Sequence, residues 1–382
     1  MKLSYDILKG KGYSGNLVYT HELLKALTSE YPEHQYHLMI NWSRKQEAQQ
    51  EFGAKPCLQY HNILPSNLVL GRQFEKTVRY INKRLLIAAT KKYDIYHATN
   101  PTHFPNGIKN GIITLHDLIP LRDDSWVGEG TKTFYKKHIH SILKQAKLIL
   151  CVSSFTEQEA LNNFPDIAGK TLVTPLAAGA CYKQEPGHRD FLKKYRIHDS
   201  NKPYLLYVGE IQPRKNIESI LQAFDSLPPG IRASLQLIII GSARTAINQS
   251  RFTAALNGLR NKQDIFHLTN IPTKDLIRFY NGAHLFIFPS FFEGFGLPVI
   301  EAMSCGCPVI TSSTSSLQEV AADAALTIDP HNCGELRQAI LELIENDELR
   351  THYREKGLQR SSTFSWKRTA KETINGYRQI SS

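Results

Sequence analysis

The sequence predicts an α/β protein of two domains, each a parallel sheet joined by helical crossovers. Three observations carry this. Short apolar, β-rich runs alternate with helical patterns along most of the chain, with turn residues after each run. At 382 residues the chain is too long for one ordinary core. Between Ala178 and Pro203 the periodic pattern lapses into polar sequence containing Gly and Pro. The expected division is 1–185, 186–365, and a last helix, 366–382, packing back towards the first domain.

In the first half the candidate strands are KLSYDI, YHLMI, DIYHA, IITL, LILCV and LVTP, with helices such as Leu17–Ser29 and Thr131–Lys147 between them. In the second half they are YLLYV, LQLIII, IFHL, HLFIF, PVIT and ALTI. No internal repeat or low-complexity tract interrupts them.

Composition removes several classes. An apolar fraction of 41% and a charged fraction of 21% describe a folded globular chain. No run of about 18 apolar residues is present to span a membrane, and MKLSYDILKGKGYSG lacks the apolar core of a secretory signal. The 6 cysteines are scattered, without disulfide or metal spacing, which fits a reducing cytosol. Cys305 and Cys307 read as small residues beneath a helix end. The net charge of +11 is uneven: residues 51–150 hold 15 Lys/Arg against 7 Asp/Glu. That region includes the basic stretch Phe74–Tyr93. It reads either as a solvated helix face or as contact with an anionic partner, a membrane surface suiting it better than nucleic acid.

Open parallel sheets bind ligands in the loops beyond the carboxyl ends of their strands. In YLLYVGEIQPRKNIESILQAF, Gly209 ends a strand, Asn216 is a candidate N-cap, and Arg214 and Lys215 precede it. Two cations at a helix start suit a phosphate or diphosphate; two solvated basic residues are the plain alternative. HLFIF leads into the same architecture, with Pro298 at the first helical position, Gly294 and Gly296 exposing backbone N–H groups, and Glu301 one turn into the helix. A carboxylate there can accept two hydroxyls of a ribose.

EGFGLPVIE, Glu293 to Glu301, resembles the E-x7-E element of retaining glycosyltransferases of family 4 (group 1). YVGEIQPRKNI resembles that family's diphosphate loop, LHDLIPL its N-domain histidine loop, and VSSFTEQEAL, SSLQEVAADAALTIDP and FSWKRTAKETINGYR also match. The resemblance implies the GT-B fold, two Rossmann-like domains with parallel sheets facing across a cleft. It implies catalytic roles for Glu293 at the donor sugar, Lys215 at the leaving diphosphate and His116 facing the acceptor. Arg214, Glu301, the N–H groups of Phe295, Gly296 and Leu297, the loop glycines Gly12 and Gly15, and Asp117 would bind substrate. No metal is expected, because no Asp-x-Asp occurs, and no cofactor beyond a nucleotide-diphosphate sugar as donor.

The style of these loops is closest to bacterial mannosyltransferases that use GDP-mannose in O-antigen or similar cell-surface polysaccharide synthesis. The acceptor would be a saccharide or a polyprenyl-linked oligosaccharide, and the enzyme cytoplasmic, at the inner face of the membrane. A UDP-sugar donor stays open. So do two other classes: a non-catalytic nucleotide-sugar binder, and a dinucleotide-dependent oxidoreductase using GKGYSG, which lacks a suitable acidic residue downstream. One departure stands out. Glu210 occupies a position where the family often has arginine, and it is expected to pair with Arg214 or with substrate. His97 and His103 are expected at a loop and a strand end, and His138 and His140 face apart.

Overall fold

The computed structural model describes residues 1–7, 15–41, 45–63, 86–105, 107–123, 126–186, 189–197, 199–260 and 262–381. Gly12 and most of Phe74–Tyr93 lie outside them. The chain forms two compact units: Met1–Arg122, Gly128–Leu176 and Trp366–Ser382 make the first, and Asp123–Val127 with Ala177–Ser365 the second.

The first unit holds parallel strands β1 (Lys2–Ile7), β2 (Gln35–Asn41), β3 (Leu58–Ile63), β4 (Ile95–Ala98), β5 (Gly111–Leu115), β6 (Leu148–Cys151) and β7 (Thr171–Val173). Their order is β3-β2-β1-β4-β5-β6-β7. Strands β4, β5 and β6 are buried along their whole length, which explains their continuous apolar runs: a sheet covered on both faces has no polar side to write. β3, LQYHNI, was not expected. It is an edge strand, pairing among the described residues with β2 alone, and its polar residues hide the β signal.

The helix Trp366–Ser381 belongs to this unit. It buries Trp366, Thr369, Ala370, Thr373, Ile374 and Tyr377, one stripe at the three-to-four spacing of a helix face. Tyr377 Oη lies 2.8 Å from Tyr5 Oη and 2.7 Å from His97 Nδ1. His97 Nε2 in turn contacts Thr114 Oγ1 at 2.7 Å. His97 is therefore fully buried, one residue before the end of β4. Burial holds it near 3, so it stays neutral.

The second unit holds β8 (Tyr204–Val208), β9 (Gln236–Ile240), β10 (Ile265–Leu268), β11 (Leu285–Phe288), β12 (Val309–Ser312) and β13 (Leu326–Ile328). All pairs are parallel, in the order β10-β9-β8-β11-β12-β13. The helix Ile217–Asp225 buries Ile217, Ile220, Leu221 and Phe224 on one face. In both sheets the winding reverses beside the first strand of the unit, at β1/β4 and at β8/β11. Crevices for ligands form where the order reverses, beyond the carboxyl ends of those strands.

Candidate active site

In the second unit the loops leaving β8 and β11 meet at the reversal point. The β8 loop ends in a short 3-10 turn, Pro213–Lys215. Asn216 follows at the expected N-cap position of the helix that begins at Ile217, in the left-handed conformation, φ 55°, but its side chain makes no capping bond. Its side chain instead donates to the Pro330 carbonyl (2.7 Å) and accepts from Ser219 (2.7 Å), tying the turn to the sheet's far side. The β11 loop is pinned by the helix that follows β12, Ser315–Ala321: Glu293 N–H donates to Ser315 Oγ (3.1 Å), and Ser316 Oγ donates to the carbonyls of Glu293 and Phe295. The two loops also bond directly, Phe291 N–H to the Arg214 carbonyl at 2.9 Å and the Arg214 guanidinium to the Phe292 carbonyl.

Glu293, Arg214 and Lys215 converge there. One Glu293 oxygen takes Lys215 Nζ at 2.5 Å and the other takes Arg214 Nη1 at 2.9 Å. Burial raises the Glu293 carboxyl, but the two cations outweigh it and hold it at about 2. Lys215 is pushed below the usual lysine value, first by burial and then by Arg214, against the pull of Glu293. Its ammonium also sits 4.8 Å from the Phe288 ring centroid. A guanidinium, an ammonium and one carboxylate leave a surplus of positive charge in a buried place. An anion can take over the donors that Glu293 now occupies.

Gly296 has φ 109°, a backbone open to glycine, and begins the helix Leu297–Ser304 with Pro298 in its first turn as the second residue. The N–H groups of Phe295, Gly296 and Leu297 have no partner among the described residues, so they remain available at the positive end of the helix. Glu301 lies on this helix, buried, accepting from Tyr280 Oη at 3.1 Å. Burial lifts its carboxyl to about 7, although Tyr280 and Tyr182 both donate to it. Sequence reasoning missed these two tyrosines, and no pattern in the sequence ties them to Glu301. The serines after β12 stood in a matching segment, SSLQEV, without their loop-bracing role being visible.

Glu210 corrects an expectation. Its carboxylate turns to Arg244 Nε (3.1 Å), leaving Arg214 to Glu293. Cys305 and Cys307 are buried free thiols at the end of the Glu301 helix.

The remaining expected residues belong to the first unit. His116 follows β5; its Nε2 lies 2.9 Å from the Thr99 carbonyl, which assigns the proton to Nε2 and leaves Nδ1 as the acceptor. Burial holds it at about 4, only partly opposed by that carbonyl, so it is neutral at pH 7. Tyr19 packs edge-on against its ring at 4.9 Å between centroids. Asp117 accepts from Ile119 N–H at 3.0 Å and caps the turn Ile119–Leu121. Gly15 opens the helix Gly15–Glu30. His140 pairs with Asp166 at 2.9 Å, and His138 lies against Phe134.

Comparison with known proteins adds to this geometry. The family described as glycosyl transferases group 1 matches residues 188–360. O-antigen chain mannosyltransferase B of Escherichia coli is 35% identical over 288 residues, 75% of this chain and 74% of that protein. Among solved structures, sucrose-phosphate synthase from Thermosynechococcus elongatus superposes with a TM-score of 0.78 at 19% identity, covering 99% of this chain and 98% of that one. Anabaena HepE in complex with UDP gives 0.77 at 17% identity, covering 99% of each chain.

Proposed function

The chain belongs to the group 1 glycosyltransferases and has the GT-B fold, and from that premise we propose that it moves mannose from GDP-mannose to a saccharide or lipid-linked acceptor, with retention, in O-antigen-like polysaccharide synthesis. The observation that carries the site is the convergence of Arg214, Lys215 and Glu293 at the β8/β11 reversal. A nucleoside diphosphate takes up the two cations and the free N–H groups of Phe295, Gly296 and Leu297. Glu293, released from its pairs, accepts hydroxyls of the donor sugar. Glu301 accepts the ribose hydroxyls, and His116 offers Nδ1 to a sugar hydroxyl. Asp117 supports the His116 loop.

In the reaction the bond from the anomeric carbon to the diphosphate oxygen breaks and a bond to the acceptor oxygen forms on the same face. The acceptor's proton passes to the departing phosphate oxygen, so nucleoside diphosphate leaves. Arg214 and Lys215 stabilise the charge that grows on that oxygen; removing one such donor typically costs about 3 kcal/mol, on the order of a hundredfold in rate. No metal or cofactor is assigned a part.

The mannose assignment is supported by the name of the Escherichia coli relative; the UDP complex of HepE supports a second reading, a UDP-linked sugar. A thermal-shift panel with GDP, UDP, ADP and dTDP separates them. Ligand at 100 times its dissociation constant adds about 2.7 kcal/mol, a shift of a few degrees. A shift with GDP alone supports mannose, a shift with UDP alone moves the reading to UDP-sugars, and no shift with any nucleotide removes it.

No helix among the described residues is long and apolar enough to cross a membrane. A lipid-linked acceptor instead suits the basic region 51–150, whose contact would be with an anionic leaflet. Replacing Lys83, Arg84, Lys91 and Lys92 with Glu should abolish binding to anionic vesicles while leaving donor hydrolysis intact. Unchanged binding removes the membrane contact.

A further inference from the structure

The carboxyl ends of β1, β4 and β5 bring together Asp6, Thr99, His103 and His116. Asp6, in β1, is fully buried. Its Oδ1 accepts the Thr99 N–H at 3.1 Å, just after β4. Its Oδ2 touches Nδ1 of His103, which ends the turn Pro101–His103. Neither atom has another hydrogen-bond partner, so each depends on the other. The same Thr99 residue presents its carbonyl to His116 Nε2. Thr99 thus contacts His116 through its carbonyl and, through its N–H, the Asp6 carboxylate that touches His103.

A carboxyl oxygen on Nδ1 assigns the ring proton there and leaves Nε2 as the acceptor. His103 Nε2 has no partner among the described residues, and the side chain is 13% exposed. A buried acid holding a histidine whose other nitrogen is unpaired is an arrangement for receiving a hydroxyl. As a plain tie between loop and strand, it would need only the Thr99 amide on Asp6.

We propose that His103, oriented by Asp6, binds a hydroxyl of the acceptor saccharide through Nε2 and so helps select the acceptor. The assignment rests on the glycosyltransfer reading and deepens it. His103 binds; the acceptor's proton still leaves with the phosphate. Asp6 is a positioning residue.

The test uses the full chain, wild type and His103→Ala, with methyl α-mannoside as probe in saturation-transfer NMR and as acceptor in transfer assays. The expected result is a fall in affinity, and a matching rise in acceptor KM, of roughly five- to tenfold, the loss of one neutral hydrogen bond. The melting temperature should fall, because Asp6 Oδ2 loses its one neighbour, but GDP binding and donor hydrolysis by the folded variant should stay at the wild-type level, and His103→Gln, which keeps an acceptor atom, should recover part of the acceptor loss. Equal saccharide affinity in wild type and His103→Ala overturns the proposal, as does a wild type that binds no saccharide probe. The two readings fail separately. Sugar transfer with an unchanged acceptor KM in His103→Ala removes the His103 site alone. Saccharide binding that depends on His103, without transfer from any nucleotide sugar, removes the glycosyltransfer reading alone.

Discussion

The two units place histidines and carboxylates at the same topological point and use them in opposite electrical states. In the second unit the carboxylate at the reversal is ionised and clasped by two cations, a site charged before any ligand arrives. In the first, His97 and His116 are both held neutral by burial. Under the proposed reading the charged site receives an anion, and neutral His116 meets a sugar hydroxyl. That contrast teaches that the fold's reversal point fixes where ligands go, while local burial and charge decide their chemistry.

The largest effect should come from removing the carboxylate of the charged end. Glu293→Ala leaves the buried cations Arg214 and Lys215 without the Glu293 counter-charge, a defect worth about 3–5 kcal/mol, and transfer should fall on the order of a hundredfold or more. A nucleoside diphosphate supplies the missing negative charge, so GDP should raise the melting temperature of this variant more than that of the wild type. A smaller shift than wild type would break the picture of competition between Glu293 and the diphosphate.

Next is the pH response of Glu301. Its carboxyl keeps its proton to about 7 in the folded chain and to 4.5 ordinarily. The folded state therefore holds a proton that the unfolded chain releases, and this contribution to stability declines as pH rises from 4.5 to 7. The span corresponds to roughly 3 kcal/mol. Glu301→Gln should flatten that part of the melting-temperature profile and weaken GDP binding above pH 7. An unaltered profile, or unaltered affinity, contradicts the ribose role.

How much of this was legible in the sequence also differs between the units. In the second, the strands, the loop cations and both glutamates were readable because each functional group sits beside its own strand end in a continuous motif. What escaped was the bracing: Tyr182 and Tyr280 on Glu301, the serines under the β11 loop, and the turn of Glu210 towards Arg244. These depend on distances between segments, which spacing does not encode. In the first unit even more was hidden. Asp6, Thr99, His103 and His116 come from three strand ends far apart in the chain. β3 was missed because an edge strand with polar residues carries little apolar signal.

The smallest effect expected concerns the neutral end. Tyr377→Phe removes a hydroxyl shared by Tyr5 and His97 and should cost about 1–2 kcal/mol, without changing GDP affinity. A variant with lowered GDP affinity would mean that the helix Trp366–Ser381 acts on more than the stability of the first unit.

The most direct test of the charged end is calorimetric titration of GDP into wild type and Lys215→Ala at two salt concentrations. If Lys215 holds the diphosphate, the variant should bind on the order of tenfold or more weakly, and its affinity should depend less on salt. Equal affinity and equal salt dependence would contradict the assignment of Arg214, Lys215 and Glu293 as the diphosphate site.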